Sequence, residues 1–271
     1  MRKYFVLVSL ILILTIAYPV TTSVKNKLNL VSTPQPNSIF PSPDQLPLQT
    51  PTGPPPAIPF QLPQGYRIGV FAKNLGSPRD LEFSPLGTLL VSLPDEGKIV
   101  ALPDKNNDGV ADSVKVILSN LNRPHGLAFY NNLLFVAELN RVVRYTWEEG
   151  ELSATPNREL FTLPYNGGHN TRSLIFNKQG QLFVSLGSSC NVCNENHDWL
   201  AGVIVSDMYG NNPHVFARGL RNSVFLTVNP ETDELWAGDM GRDRIGDDIP
   251  REEINIIRDG DNYGWPVCYG Q

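Results

Sequence analysis

The chain has 271 residues, enough for one large domain or two small ones. Its 22 basic and 27 acidic residues give a formal net charge of −5, and no basic run or stripe is present. This charge pattern excludes a typical nucleic-acid-binding protein, so we expect no nucleic-acid partner.

Residues 1–20 have the composition of an export segment. Arg2 and Lys3 precede an uncharged, largely apolar run from Phe5 to Ala17. Such a run after a basic start is typical of a signal peptide, and a retained membrane anchor is the alternative because the cleavage pattern is poor. Both interpretations predict that the rest of the chain is extracytoplasmic: periplasmic, secreted or anchored on the outer face of a membrane.

Residues 21–63 are predicted to be a linker. Of the 23 prolines in the chain, 11 fall between Pro34 and Pro63. Proline fixes φ and has no amide N–H, so this composition predicts an extended, disordered linker without chemistry of its own. Residues 64–271 are the predicted folded domain.

Four segments of this domain align with one another as strand, turn and strand. They are 80–93, 126–139, 173–186 and 225–239, and their shared leucine falls at positions 81, 127, 174 and 226. Successive leucines are therefore 46, 47 and 52 residues apart. A β-hairpin repeated at this spacing, without helical periodicity, is typical of an all-β propeller. We expect the leucine, phenylalanine and valine of each repeat to pack between blades. The chain ends as the fourth repeat is completed, so we expect about four blades of a larger, truncated propeller.

One loop between the first two repeats alternates oxygen-bearing side chains. These are Asp104, Asn106, Asp108 and Asp112, with Gly109 in the sixth position. The spacing is that of a calcium-binding loop, although Lys115 occupies the twelfth position, where such loops carry glutamate. It predicts a structural calcium site, with an acidic hairpin turn as the alternative.

The three cysteines include one C-x-x-C pair, Cys190 and Cys193, in a polar loop. In an oxidising compartment this pair favours a local disulfide. The alternative is a zinc site that would take His197 as a further ligand. Cys268 has no predicted partner.

Two segments that precede repeats carry candidate catalytic residues. His169 follows two glycines that let the backbone approach a ligand closely, and Arg221 precedes the fourth repeat. Segments that lead into the inner strands of a propeller cluster at one end of its channel, so we expect His169 and Arg221 to converge. His125 precedes the second repeat and is predicted to be structural.

Several motifs in order resemble the soluble pyrroloquinoline-quinone-dependent glucose/sorbosone dehydrogenase family. They are Gly-Gly-His169-x-Thr-Arg172, Ser-Ser-Cys190-Asn-Val-Cys193, Gly-Leu-Arg221-Asn222, Gly-Asp-Asp248-Ile-Pro-x-Glu-Glu253-Ile-Asn255 and Asn-Tyr263-Gly-Trp-Pro266. The resemblance covers roughly residues 65–271. It implies a six-bladed propeller that holds pyrroloquinoline quinone at the mouth of its channel and oxidises a sugar by hydride transfer.

The resemblance also implies roles for individual residues. His169 matches the general base that takes the proton of the sugar's anomeric hydroxyl, and Arg221 matches the arginine that stabilises charge on the reduced quinone. Further cofactor contacts are implied for Arg172 and Asn222. The backbone carbonyls of Gly241 and Arg242 match those that hold the cofactor's calcium, and Glu253 and Tyr263 resemble the surroundings of a second calcium.

Two departures from the family limit these expectations. Glucose-oxidising members carry an acidic residue at the position of Ser188, and the sorbosone-like branch resembles this chain in lacking it. The identity of the sugar therefore stays open. The external electron acceptor is open as well. Several cofactor contacts of the family lie in its last blades, so we expect this chain alone to self-associate and not to turn over sugars. The alternatives are a calcium-dependent propeller lactonase or hydrolase, and a non-catalytic, tethered binding propeller.

Overall fold

The computed structural model describes residues 60–269. The predicted signal or anchor of residues 1–20 lies outside this range, as does the predicted linker except for residues 60–63. Within the described range, no helix is long and apolar enough to cross a membrane.

The described chain folds into antiparallel sheets, which we number as blades 1 to 4 in chain order. Blade 1 contains β1 (Leu81–Phe83), β2 (Leu89–Leu93), β3 (Lys98–Leu102) and β4 (Lys115–Leu118). Blade 2 contains β5 (Leu127–Tyr130), β6 (Leu133–Ala137), β7 (Arg141–Glu148) and β8 (Ser153–Thr162). Blade 3 contains β9 (Leu174–Phe176), β10 (Gln181–Leu186), β11 (Gly202–Asp207) and β12 (His214–Arg218). Blade 4 contains β13 (Ser223–Val228), β14 (Leu235–Asp239) and β15 (Glu253–Ile257).

Strand order within each blade follows the chain, so every blade is a meander that starts with its inner strand. The four predicted hairpins supply the first two strands of the four blades, which confirms the predicted all-β propeller with about four blades present. The turn of blade 2 shows the local cause. Asn131 and Asn132 both have positive φ (49° and 59°) between β5 and β6, as a two-residue type I′ hairpin requires.

The core lies between the blades. Strand β2 is buried along its whole length because both of its faces are covered. One apolar cluster joins blades 1 and 2 through Leu90, Ile99 and Val136, and equivalent clusters join blade 2 to blade 3 and blade 3 to blade 4. This layered burial of neighbouring sheets is what stabilises a propeller.

The predicted packing of the repeat residues between blades is confirmed where a described blade covers them, as for Leu127 and Leu174 at 3% and 6% exposure. Val91, Val136 and Val184 are at most 1% exposed, whereas Leu81 is 59% and Phe83 45% exposed. The reason is that one face of β1 packs against blade 2, whereas no described blade covers the opposite face, which carries Leu81 and Phe83.

The inner strands of all four blades line a central cavity of about 430 Å³. Two carboxylates, Asp80 and Glu82, lie in its wall. Burial raises the pKa of Asp80 to about 6 and the pKa of Glu82 to about 7, because desolvation outweighs the hydrogen bonds from the Leu127 and Phe129 amides.

Candidate functional site

A depression of about 480 Å³ is formed by segments from all four blades. Segments that lead into the inner strands supply most of its wall, so the repeat architecture itself gathers these residues. The polar side chains that line it include Arg79, Arg123, His125, His169, Asn170 and Asn222.

His169 lies in this depression in a fixed orientation. Its Nδ1 lies 2.9 Å from the backbone carbonyl oxygen of Ser188 and 3.0 Å from the Ser188 Oγ. A carbonyl accepts only, and the Ser188 hydroxyl donates to the carbonyl of Cys190, so Nδ1 carries the proton in the neutral ring. The unprotonated nitrogen is therefore Nε2, for which the described residues provide no hydrogen-bond partner.

The charge state of His169 suits a base. Burial lowers its pKa below the ordinary 6.5, the Arg221 cation lowers it further, and the bond to the Ser188 carbonyl acts in the opposite direction. The ring is therefore neutral at pH 7 and can accept a proton at Nε2.

Two glycines allow His169 to sit so close to its neighbours. Gly168 has φ of +72°, and a Cβ there would lie 2.3 Å from the backbone carbon of Ser189. A Cβ on Gly187 would lie 2.5 Å from both the Asn222 Oδ1 and the His169 Cβ. A side chain at position 168 would therefore clash with the backbone that orients the ring, and one at position 187 would clash with His169 itself.

His125 borders the same depression with a different partner. It is 3% exposed, and its Nε2 accepts a hydrogen bond from the Nε of Arg79 at 3.1 Å. Burial, with the Arg79 cation as the next cause, lowers the pKa of His125 to about 3. The acceptor nitrogen of His125 is already occupied, and this is consistent with the structural role predicted from the sequence.

Arg79 and Arg123 are functional candidates that sequence reasoning missed. Both line the depression, where Arg79 keeps its terminal nitrogens free of described partners and Arg123 pairs with Asp95 at 3.1 Å. Arg79 directly precedes the first repeat, so the repeat alignment held a signal for it. The position of Arg79 indicates a functional residue only when the four blades are known to surround one channel opening.

Arg221 lies near His169 but does not line the depression. Its side chain is 3% exposed, and all five N–H donors are used within the chain. The acceptors are the carbonyl oxygens of Asn191, Met240 and Gly241 and the side chains of Asn191 and Asp243. In this conformation Arg221 acts on the depression through its charge, and no N–H is left to contact a ligand.

Asn222 does line the depression, beside His169. Its side-chain Oδ1 accepts a hydrogen bond from the Thr171 hydroxyl. The buried carboxylate of Asp239 holds the preceding backbone, because it accepts the amides of Arg221 and Asn222 at 3.1 and 2.9 Å. Burial raises the pKa of Asp239 to about 6 despite these bonds.

The structure gives Arg172 a different role from the cofactor contact that the resemblance implied. Arg172 is 0% exposed, and its guanidinium donates to the backbone carbonyls of Leu139, Thr171, Pro164 and His169. Burial lowers its pKa to about 10, so it stays charged at neutral pH. It ties the loop before β9 to blade 2 and offers no surface to a cofactor.

Cys190 and Cys193 form a disulfide. Their two sulfurs and the Glu195 carboxylate lie within 4.8 Å of one another, but the disulfide uses the thiols that zinc would need. Glu195 instead accepts the amide and hydroxyl of Ser189 at 2.8 and 2.7 Å. Cys268 is exposed and free.

The segment predicted to hold the cofactor's calcium is engaged by Arg221. The Gly241 carbonyl accepts an Arg221 N–H at 2.6 Å, so a positive charge already neighbours this oxygen. The Arg242 guanidinium lies 4.8 Å above the Tyr269 ring. A cation at the Gly241 oxygen does not fit this arrangement, because Arg221 would repel it. Glu253 lies at the start of β15, in the wall of a small cavity that also contains Tyr263.

The predicted calcium loop is folded around its own side chains. Asp104 accepts the amides of Asp108 and Gly109 at 3.1 and 2.9 Å, and Asp112 accepts the Lys105 amide at 2.8 Å. The Asn106 Oδ1 also accepts the Asp108 amide, at 3.1 Å. The three carboxylates do not all lie within 4.8 Å of one another. The loop is thus already folded as a turn, but its carboxylates are not close enough to one another to surround a single ion.

Comparison with known proteins identifies similar chains. A family model described as TrAA12-like matches residues 60–271. A pyrroloquinoline quinone-dependent sugar dehydrogenase of Hypocrea jecorina (strain QM6a) is 26% identical over 241 residues, which cover 76% of this chain and 56% of that protein.

Solved structures agree with this fold. The iodide structure of a Trichoderma reesei protein of Carbohydrate-Active Enzymes Family AA12 has a TM-score of 0.66 and 26% identity, covering 73% of this chain and 58% of that one. The holo form of the pyranose dehydrogenase PQQ domain of Coprinopsis cinerea has a TM-score of 0.69 at 20% identity, covering 81% of this chain and 61% of that one, and supports the fold alone. This chain spans less than two thirds of each of these relatives.

Proposed function

The chain belongs to the TrAA12-like family, and on this premise we propose that it acts as a sugar dehydrogenase that uses pyrroloquinoline quinone. The proposed substrate is an aldose or a sorbosone-like sugar. The proposal extends from the described residues to the whole protein, because the chain spans only part of the length of its relatives. The observation that carries it is the fixed, neutral His169, whose free Nε2 borders a depression rich in hydrogen-bonding groups.

In this proposal His169 removes the proton from the sugar's anomeric hydroxyl. The Ser188 carbonyl keeps the proton of the neutral ring on Nδ1, so the new proton goes to Nε2. Once protonated, the imidazolium is stabilised by its hydrogen bond to that same carbonyl. The loss of the hydroxyl proton increases electron density at the anomeric carbon, from which the hydride leaves.

The polar groups of the depression suit the ligands of this reaction. Pyrroloquinoline quinone, when bound, supplies the hydride acceptor. Arg79 and Arg123 are the cations that would pair with its carboxylates, and Asn222 would contact it from the blade 4 side. Asn170 lines the same wall, and its buried Oδ1 has no described hydrogen-bond partner. The positive charge of Arg221 lies behind this wall and favours negative charge that develops in front of it.

We include calcium in the proposal at the loop from Asp104 to Asp112. Support comes from its alternating oxygen ligands and from the turn that already orders them. Calcium titration followed by calorimetry should show one ion lost in Asp108→Ala, together with a fall in melting temperature. An unchanged stoichiometry and melting temperature would reduce the loop to an ordinary turn.

The proposed compartment is extracytoplasmic. The apolar run after Arg2 and Lys3 supports export, and the Cys190–Cys193 disulfide supports an oxidising environment. Membrane anchoring through residues 1–20 remains part of the same proposal.

The function is tested on the complete gene product that carries residues 60–269. The purified protein is incubated with pyrroloquinoline quinone and calcium, and dye reduction is measured with a panel of aldoses and sorbosone. We expect sugar-dependent reduction that vanishes when the quinone is omitted. Hydrolysis of lactones without the quinone would contradict the proposal and identify a hydrolase, and quinone-independent sugar binding without turnover would identify a binding propeller.

A further inference from the structure

The segment Ser188–Cys193 contacts both predicted catalytic residues, His169 and Arg221. On one side Ser188 holds His169, through its carbonyl at 2.9 Å and its hydroxyl at 3.0 Å from Nδ1. On the other side Asn191 holds Arg221, and the Ser188 amide donates to the Arg221 carbonyl at 2.8 Å. One stretch of chain therefore sets the separation of the base and the guanidinium.

Asn191 is exposed, yet both its backbone and its side chain form hydrogen bonds with Arg221 and with the loop beside it. Its backbone carbonyl accepts the Arg221 Nε at 3.0 Å, and its Oδ1 accepts the Arg221 Nη2 at 2.9 Å. The same Oδ1 accepts the Asp243 amide at 2.8 Å, and its Nδ2 donates to the Asp243 carbonyl at 3.1 Å. Asn191 thus supplies two of the five acceptors of a buried guanidinium and also fixes the loop that supplies the others.

The disulfide explains how an exposed loop residue can hold this position. Asn191 lies between Cys190 and Cys193, so the covalent ring limits the movement of its backbone. The Ser188 hydroxyl donates to the Cys190 carbonyl at 2.7 Å. This bond connects the disulfide-closed loop to Ser188, the residue that orients His169. A buried guanidinium that loses acceptors is strongly destabilised in its position.

We propose that Asn191, held by the disulfide, is a positioning residue that fixes the Arg221 guanidinium relative to His169. The inference rests on the proposed function, because it deepens the role of Arg221 in the same reaction. Loss of the Asn191 side chain removes the acceptor of one Arg221 Nη2 N–H and both contacts to Asp243, although the backbone carbonyl that accepts the Nε remains. The 240–243 loop and the positive charge behind the depression then lose their fixed place.

The test follows Arg221 directly and does not depend on turnover. The Arg221 guanidinium N–H signals are assigned in a nitrogen-edited NMR spectrum by their loss in Arg221→Lys. The hydrogen exchange of the Nη2–H, whose acceptor is the Asn191 Oδ1, is then measured without the quinone. We expect slow exchange in the unchanged protein and in the control Asn194→Ala, which alters the same loop outside the disulfide ring. Exchange should be at least about tenfold faster in Asn191→Ala. The double variant Cys190→Ser/Cys193→Ser should shift in the same direction.

Kinetics then separate positioning from binding. In Asn191→Ala we expect kcat to fall roughly 10- to 100-fold, with the sugar KM within about twofold. Asn191→Asp keeps the acceptor for Arg221 but lacks the Nδ2–H that donates to the Asp243 carbonyl, so it should restore only part of the turnover. Equal Arg221 exchange in Asn191→Ala and the unchanged protein would overturn the inference, and so would fast exchange with unchanged kcat. If even the unchanged protein reduces no dye, the proposed function fails, and the exchange rates still decide whether Asn191 holds Arg221.

Discussion

His125 and His169 border the same depression, yet only one of them is arranged as a base. Both neutral rings carry their proton on Nδ1, since the Nε2 of His125 accepts from Arg79 and the Nδ1 of His169 donates to Ser188. The difference is the group at Nε2: a cation 3.1 Å away in His125, and no described partner in His169. A histidine at a channel mouth can act as a base only where its acceptor nitrogen is left open toward the cavity.

The largest expected effect comes from His169→Ala in the complete, quinone-loaded protein. Removing the base should lower kcat by about 10²- to 10⁴-fold, because the anomeric proton has no other acceptor in position. Quinone affinity and melting temperature should change little. Dye reduction, quinone titration and calorimetry measure the three quantities. A loss of kcat below about fivefold would break the comparison between the two histidines.

His125→Ala should act on stability instead. It removes a buried ring and leaves the Arg79 Nε without its acceptor, so we expect a loss of about 2–4 kcal/mol in the free energy of unfolding. The kcat of the folded protein should stay within about threefold of the unchanged value. Urea unfolding and dye reduction on the same samples separate the two outcomes.

The stability difference between the unchanged protein and His125→Ala should itself depend on pH. The folded pKa of about 3 lies below the ordinary 6.5, so unfolding takes up a proton between these values. The contribution of His125 is therefore complete above pH 6.5 and is lost as the pH falls toward the folded pKa. The difference should shrink by about 1.4 kcal/mol for each pH unit below 6.5. A difference that is constant between pH 7.5 and 5.5 would contradict the assigned environment.

Arg79→Gln tests the cation that separates the two histidines. It removes a charge that we propose pairs with a quinone carboxylate, so the Kd for the quinone should rise roughly 10- to 100-fold. Lys73→Gln removes one exposed positive charge that does not line the depression, and it should leave the Kd unchanged. An equal rise of the quinone Kd in both variants would show that only the net charge matters and would contradict a specific contact by Arg79.

Ser188→Ala should have the smallest effect. The Ser188 backbone carbonyl continues to accept the His169 Nδ1–H, so the tautomer is kept and only the hydroxyl contact is lost. We expect kcat to fall by less than about fivefold in the dye-reduction assay. A loss as large as that of His169→Ala would show that the hydroxyl, and not the carbonyl, orients the base.

Much of the fold could be predicted from the sequence because each repeat carries its own local signal. The hairpin from Gly126 to Leu139 is fixed by two short apolar runs on either side of an Asn-Asn turn, and its register needs no knowledge of the other blades. The exposure of Leu81 is not a local property of the repeat, since it depends on whether another blade covers that face of β1.

The candidate site was predictable only where a motif marks it. His169 and Asn222 stand in recognisable segments and do line one depression. Arg221 and Arg172 stand in such segments too, but which atoms their guanidinium groups bond depends on chain far away in sequence. The Asn191–Arg221 contact joins residues 30 positions apart, and no local pattern in the sequence encodes it.

The most direct test of the comparison is an NMR titration of both imidazole rings in the unchanged protein. We predict that His169 is neutral at pH 7.5 with its proton on Nδ1, and that it titrates with a pKa below 6.5. His125 should keep one neutral tautomer throughout the range from pH 5 to 8, since its pKa is about 3. A His169 ring that carries its proton on Nε2, or a His125 ring that titrates in this range while His169 does not, would contradict the assignment of His169 as the base.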